Sequence, residues 1–340
     1  MKTKIIQFYI LIAVCFFSSC KNYETVAAYI DEIHKKGELN GNVLVVKGDT
    51  VIYEKSFGIA HPKTKTPLTA AHRFNVGSIY KEFPGVAVMQ LYEKGRLKLD
   101  DNVGDYLDDL PAWASSVNIQ QLFKYISGLP KVPWENYIEN NNPVTAESLL
   151  SDLKKEELSF EPGSDYLYSN YNPLLLMLIV EKVSKQSFED YVYKHIFKPA
   201  KMTDSYFAKQ TPYKDEKLPA IAFDEDYNPY PFVIQEPKFL MSFTANDLYQ
   251  WLYHLHSYQL LSKASIKLLS EREGSQSPLG VLEWEDDVLE VHHHHGESGN
   301  YEAVVRYYPK NELYIVILKN RKLENVIHMA DEIYDIVTNL

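Results

Sequence analysis

Cysteine is nearly absent from this chain. Its 340 residues hold two, Cys15 and Cys20, both near the N-terminus, so no disulfide framework staples the body of the protein and the fold must rest on a buried core. Positive charge is also short: 35 lysines and arginines stand against 46 aspartates and glutamates, a formal net charge of −11. A phosphate backbone calls for a cationic surface, and this deficit argues against nucleic acid as a partner. No apolar run reaches the roughly 18 to 20 residues that span a bilayer as a stable helix. Internal repeats are missing too, and the low-complexity content is a single tract, "HHHH" at 292–295.

What is present begins with "MKTKIIQFYILIAVCFFSSC". Two lysines, an apolar run from Ile5 to Phe17 and a small-residue ending make a secretory signal. "FSSC" resembles the lipobox that closes a bacterial lipoprotein signal. That resemblance implies a signal peptide over residues 1–19 and a lipid on Cys20, which would anchor the protein to a membrane of the cell envelope, on its periplasmic or extracellular side. A plain signal peptide cleaved nearby would leave Cys20 incidental. Cys15 leaves with the leader, so no cysteine pair remains to oxidise, and the loss of Lys2 and Lys4 takes the net charge to −13. Residues 20–340 are ample for a core without staples.

The body opens with "YETVAAYIDEIHKKG", whose apolar spacing and last-turn lysines before Gly37 predict an amphipathic helix. "NVLVVK" and "TVIYEK", rich in β-branched residues around Gly48-Asp49, predict a hairpin. A second strand pair, "AVVRYY" and "LYIVILK", flanks "PKNE" near the C-terminus, and a helix follows from about Asn325 to Val337. Strands at both chain ends must meet in one sheet or leave their edges open. Between them the pattern is mainly helical: "NPLLLMLIVEKV" is a buried helix, and "SFED" from Ser187 offers a capping box for the next.

The chemistry concentrates at "FNVGSIYKEF". If a helix starts near Ser78, positions i and i+3 share a face, so the Ser78 hydroxyl and the Lys81 amine can meet. A free backbone N–H at that helix start can also donate to a developing oxyanion. A lysine accepts a proton only in its neutral form, which burial favours. A partner stands in "YLYSNYN", after the turn residues Pro162 and Gly163: Tyr168 can relay the proton, and Asn170 can donate to a substrate carbonyl. Taken singly, Ser78 is an ordinary helix cap, Lys81 a solvated lysine and Tyr168 one of 26 tyrosines.

Together, and in this order, these segments resemble the serine β-lactamase-related family: class C β-lactamases, penicillin-binding proteins, D-alanyl-D-alanine carboxypeptidases and family VIII-type esterases. "GNVLVVKGDTVIYEKSFGIAH" is similar to the family's opening hairpin, "LYEKGRLKLDDNVGDYLDDLP" to the stretch after its nucleophile helix, "ISGLP" to the end of its His-Thr-Ser-Gly-Leu segment, "FEPGSDYLYSN" to its tyrosine motif and "IFKPAKMTDSYF" to its Pro-Leu-Gly-Met region. The resemblance implies an α/β (α+β) fold of the β-lactamase/transpeptidase type: an antiparallel sheet built from both chain ends and flanked by helices, with a mainly helical insertion over approximately residues 80–225. It implies Ser78 as nucleophile, Lys81 and Tyr168 as proton carriers, and no cofactor. The family's third motif, Lys-Thr-Gly or His-x-Gly, falls on "HHHHGESGNY". There His294 and Gly296 fit, with the Glu297 N–H as second oxyanion donor; a one-residue shift would promote His293.

Departures from the family pattern are concentrated near the site. Pro84 and Gly85 lie within the nucleophile helix, where Pro84 should kink it. Tyr125 replaces the usual histidine before "ISGLP", Lys201 the usual glycine of Pro-Leu-Gly-Met, and "KFLMSFTANDL" lacks its usual glycines. Two functions therefore compete: a serine hydrolase acting on an ester, amide or D-amino-acid peptide, or a non-catalytic envelope lipoprotein that binds cell-wall peptide or a protein partner. The histidine tract does not predict a metal site, because strand neighbours alternate sides and no acidic or thiol ligand is spaced to join them. "GESGN" nearly spells a nucleophile elbow around Ser298 but lacks its last glycine and the strand-to-helix context. With a histidine in place of the lysine that meets substrate carboxylates, uncharged acyl donors should be preferred at neutral pH.

Overall fold

The computed structural model describes residues 23–208, 218–229 and 234–339. The leader and Cys20 lie outside the described residues. In chain order the elements are α1 (Val26–Lys35), β1 (Gly41–Lys47), β2 (Thr50–Phe57), β3 (Phe74–Asn75), a 3-10 turn Gly77–Lys81, α2 (Glu82–Glu93), α3 (Ile119–Lys124), α4 (Trp134–Glu139), α5 (Ala146–Leu153), α6 (Tyr171–Ser184) and α7 (Phe188–Val192). Then come β4 (Tyr206–Phe207), β5 (Met241–Phe243), α8 (Ala245–His256), α9 (Lys263–Ser270), β6 (Val281–Glu285), β7 (Val288–Ser298), β8 (Tyr301–Tyr308), β9 (Leu313–Lys319) and α10 (Val326–Thr338). Among the described residues, no helix is long and apolar enough to cross a membrane.

The two chain ends meet in one six-stranded sheet, ordered β2-β1-β9-β8-β7-β6, with every pairing antiparallel. β1 runs against β9 from Gly41 opposite Lys319 to Lys47 opposite Leu313. Gly41 is required there, since a Cβ would lie 2.0 Å from the Leu318 carbonyl oxygen. Alternation along the strands divides the core. Val43, Val45, Ile315 and Ile317 pack beneath α1 and α10, while Leu44, Val46, Val316 and Leu318 face the helical body. α1 buries Val26, Tyr29, Ile30 and Ile33, a single face, and Thr25 caps it by accepting from the Ala28 N–H at 3.1 Å. Each fully buried aliphatic side chain in these layers contributes roughly 1.5–3 kcal/mol.

β6 was not legible in the sequence. It pairs with β7 through a two-residue turn whose Asp286 and Asp287 both take positive φ, 44° and 68°. Asn-Gly is the usual signal for such a turn, and an Asp-Asp pair hides it. Lys263, at 3.0 Å, and Lys267 both pair with the Asp287 carboxylate. Short pairings β3-β5-β4 form a second, small sheet.

Two departures acquire structural explanations. α2 runs unbroken through Pro84, which falls in its first turn, where an N–H has no intrahelical acceptor, and the segment before it winds as a 3-10 turn. Lys201 has φ 56°, so it keeps the left-handed backbone that a glycine adopts without penalty. That conformation ends the helical segment before it, with the Met202 N–H returning to the Phe197 carbonyl at 2.9 Å.

Candidate active site

Ser78 is presented by the 3-10 turn between β3 and α2. Gly77 starts that turn at φ 52°, its N–H donating to Asn75 Oδ1 at 2.9 Å. Glycine is needed on a second count as well, because a Cβ here would lie 2.3 Å from the Glu297 backbone nitrogen. Across the contact, a Cβ on Gly296 would lie 2.0 Å from the Val76 carbonyl oxygen and 2.8 Å from the Ser78 nitrogen. Two facing glycines thus press β7 backbone to backbone against the nucleophile turn. This brings the Ser78 and Glu297 main chains to one wall of a cavity of about 280 Å³ that both residues line.

Lys81 Nζ donates to Ser78 Oγ at 2.9 Å, and Tyr168 Oη donates to the same oxygen at 2.9 Å. Lys81 is 3% exposed, its Nζ 4.7 Å from the Tyr80 ring centroid and 4.9 Å from that of Tyr168. A loop-to-loop lattice holds Tyr168. The Leu167 N–H donates to the Tyr125 carbonyl at 2.9 Å, Ser169 Oγ to the Pro130 carbonyl at 2.5 Å, and Ser127 Oγ to Asn172 Oδ1 at 2.7 Å. "ISGLP" is therefore the buttress of the tyrosine segment. Tyr125, in the usual histidine's place, takes φ 56° and packs its buried ring 4.7 Å from that of Tyr168. Burial and the neighbouring Tyr168 push the Tyr125 hydroxyl pKa well above its ordinary value. Asn170 does not cap α6 with its side chain and lines the cavity.

His294 corrects the expectation drawn from the third motif. It does not line the cavity: its ring is 1% exposed and its Nδ1 bonds to Glu82 Oε1 at 2.7 Å. Strand alternation turns His292 and His294 inward towards α2 and places His293 and His295 on the opposite face. His293, the alternative register, therefore does not meet the cavity either. Burial pushes His294 below its ordinary pKa against the pull of Glu82. Gly296 and Glu297 do lie at the cleft, through their backbone.

The structure also supplies carboxylates that the tract's sequence context did not. Ligand atoms of His295, Glu297 and Glu302 lie within 4.8 Å of one another. Lys319 Nζ already pairs with Glu302 at 2.8 Å, and Lys322 with Glu297, so the cluster is an ion-pair lattice in which a cation would have to displace two lysines. Ser298 ends β7 beside Gly299 and lines the cavity, with no helix following it.

Several cleft residues escaped sequence reasoning. Tyr80, Trp134, Ile138 and Phe239 form an apolar wall, drawn from the nucleophile turn, α4 and the segment before β5. No local pattern links them, because three separate chain segments contribute. A larger open groove, about 510 Å³, is floored by Leu107, Leu110, Leu150 and Leu178. It contains neither serine nor histidine, so chemistry rather than volume picks out the Ser78 cleft.

Comparison with known proteins bears on the family and the fold. The Beta-lactamase family model matches residues 26–339. Protein flp of Staphylococcus aureus (strain MW2) is 27% identical over 341 residues, covering 93% of this chain and 66% of its own length. The putative penicillin-binding protein PbpX of Bacillus subtilis (strain 168) is 31% identical over 232 residues, 66% of this chain and 54% of its own. The chain thus spans somewhat less than two thirds of the first relative and about half of the second. Among solved structures, the penicillin binding protein from Bacillus halodurans superposes with a TM-score of 0.78 at 22% identity, over 92% of this chain and 99% of that one, a likeness of fold. With a family match over nearly the whole described chain and a fold shared with a penicillin-binding protein, this chain belongs to the Beta-lactamase family, which has serine hydrolases among its members.

Proposed function

We propose that this chain is a serine hydrolase that forms an acyl-enzyme at Ser78 and acts on an ester, an amide or a D-amino-acid peptide. The observation that carries this reading is the pair of 2.9 Å hydrogen bonds from Lys81 and Tyr168 to one serine oxygen. For the reaction a neutral Lys81 turns its lone pair to the Ser78 hydroxyl across the same 2.9 Å contact: as Oγ bonds to the carbonyl carbon its proton passes to Lys81, while Tyr168 gives its proton to the leaving group, whose bond to that carbon breaks, and is reprotonated from Lys81. The Ser78 and Glu297 N–H groups receive the oxyanion. Water then attacks the acyl-enzyme, releases the acid and restores the serine. A fluorophosphonate probe should label the wild-type protein and not Ser78→Ala. An inert wild type would support the competing reading, a non-catalytic binding protein.

The cavity also bears on substrate charge. Among the described residues lining it, the charged side chains are Lys81, bonded to the nucleophile, and Glu297 at the rim. Arg306 lies across the sheet, tied to Asp331 and to Tyr308. A substrate carboxylate would meet Glu297, whose charge Lys322 already offsets in part, so its disadvantage is at most roughly 1 kcal/mol at this solvent-exposed site, or about fivefold. For a matched pair differing by a free carboxylate or its methyl ester, kcat/KM at pH 7.5 should favour the ester by up to that factor, and Glu297→Gln should narrow the gap. A preference for the free acid in wild type would defeat this account of specificity.

A further inference from the structure

Glu82 follows Lys81 directly and is 0% exposed, the head of a run in which every residue to Leu91 is buried. A carboxylate occupies such a position only where its lone pairs are used. Here Oε2 accepts from Trp251 Nε1 at 2.5 Å and Oε1 from His294 Nδ1 at 2.7 Å, while His292 Nε2 lies 3.4 Å from Oε1. The chain continues inward, His292 Nδ1 standing 2.7 Å from His256 Nε2. None of these groups lines the cleft.

Their placement matters more than their number. The oxyanion wall is assembled from two segments, the Ser78 turn and β7, which touch through Gly77 and Gly296. Glycine-to-glycine contact sets how closely two backbones approach but does little to stop them sliding. Glu82 lies four residues after Ser78 and His294 three residues before Glu297, so the bond between their side chains crosses the same junction immediately behind it.

We propose that Glu82 is a positioning residue for the nucleophile centre: held by His294 and Trp251, it fixes the register of the Ser78 N–H against the Glu297 N–H and so the width of the oxyanion site. This rests on the acyl-enzyme reading above. A charge-assisted bond between partners locked in the core is short and directional, and oxyanion donors misplaced by a fraction of an ångström lose most of their advantage. Burial would raise the Glu82 pKa, but His292 and His294 hold it at about 2, so the carboxylate stays ionised at neutral pH. Ionised Glu82 takes the Nδ1 proton of His294 as its donor. Glu82→Gln keeps the shape but offers one acceptor where Trp251 and His294 both donate, so one bond must break or His294 must change tautomer.

The test uses Glu82→Gln and His294→Asn in the full chain, with active sites counted by fluorophosphonate titration. The acylation rate per titrated site should fall about 10- to 50-fold with KM within twofold. Affinity for an alkyl boronic acid, whose oxygen occupies the oxyanion site once boron bonds to Ser78, should fall by the same factor. If Glu82→Gln does not fold, His294→Asn supplies the same two readouts. A wild type that labels, with folded variants matching its rate and boronate affinity per site, overturns this inference alone, since a merely structural residue changes only the number of working sites. A wild type that does not label overturns the proposed function, and this inference with it.

Discussion

Lys81→Ala and Tyr168→Phe should each lower the acylation rate by about 10² to 10⁴-fold while moving the denaturation midpoint little. Both side chains bond to Ser78 Oγ at 2.9 Å, so each variant removes one carrier from a proton path that begins at a single atom. The supporting lattice does not depend on either group. Tyr168→Phe keeps the ring against Tyr125, and the bonds from Ser127, Leu167 and Ser169 that hold the segment involve neither the Tyr168 hydroxyl nor the Lys81 amine. The double variant should be little worse than the worse single one, because groups on one proton path fail together. Rates and pH profile unchanged in Tyr168→Phe would mean that the tyrosine only packs.

Acid should weaken this fold well before its carboxylates protonate. Burial, with His292 beside it, pushes His256 well below its ordinary pKa; burial and Arg306 take His293 to about 3; burial lowers His294 as well. His293 stays neutral when folded down to about pH 3, whereas an unfolded histidine protonates near 6.5, so between about pH 3 and 6.5 the unfolded state binds more protons, and the lowered His256 and His294 act in the same direction below 6.5. Stability therefore rises with pH across that window and is lost as pH falls below 6.5, by up to about 1.4 kcal/mol per pH unit for each group. Glu82 adds its part lower down: its folded pKa is depressed, so its contribution is complete above about pH 4.5 and disappears towards about 2. Urea denaturation at pH 7.5, 6.5 and 5.5 should show the slope, and His293→Gln should reduce it by close to one proton. A flat profile, or a slope unaltered in that variant, would show that the histidines relax into solvent instead of staying neutral.

The departures that favoured a decayed site look different in three dimensions. Pro84 falls where a helix has no N–H bond to lose, Lys201 holds the left-handed turn that glycine usually supplies, and Tyr125 replaces a histidine with a ring that braces Tyr168. Each change is accommodated by backbone conformation or packing close to it, and none separates Ser78 from Lys81 or Tyr168.

Sequence alone determined what depends on neighbouring residues. The strands at both ends announce themselves by their β-branched residues, α1 by its apolar spacing and last-turn lysines, α10 by its apolar pattern, and the Ser78–Lys81 contact by a spacing of three. Tertiary structure decided the rest. Four identical residues at 292–295 carry no apolar-polar contrast, so nothing local says which pair faces the core, and shifting one residue along a strand exchanges the faces. That parity removes His294 from the cleft and gives it to Glu82. Glu82 itself, a charge heading an apolar helix, is explained only by partners on α8 and β7. The apolar wall of Trp134, Ile138 and Phe239, and the meeting of Ser78 with Tyr168 ninety residues away, arise when loops of unrelated sequence close over one another. Such closure is fixed by the packing of the whole core rather than by any short stretch of chain.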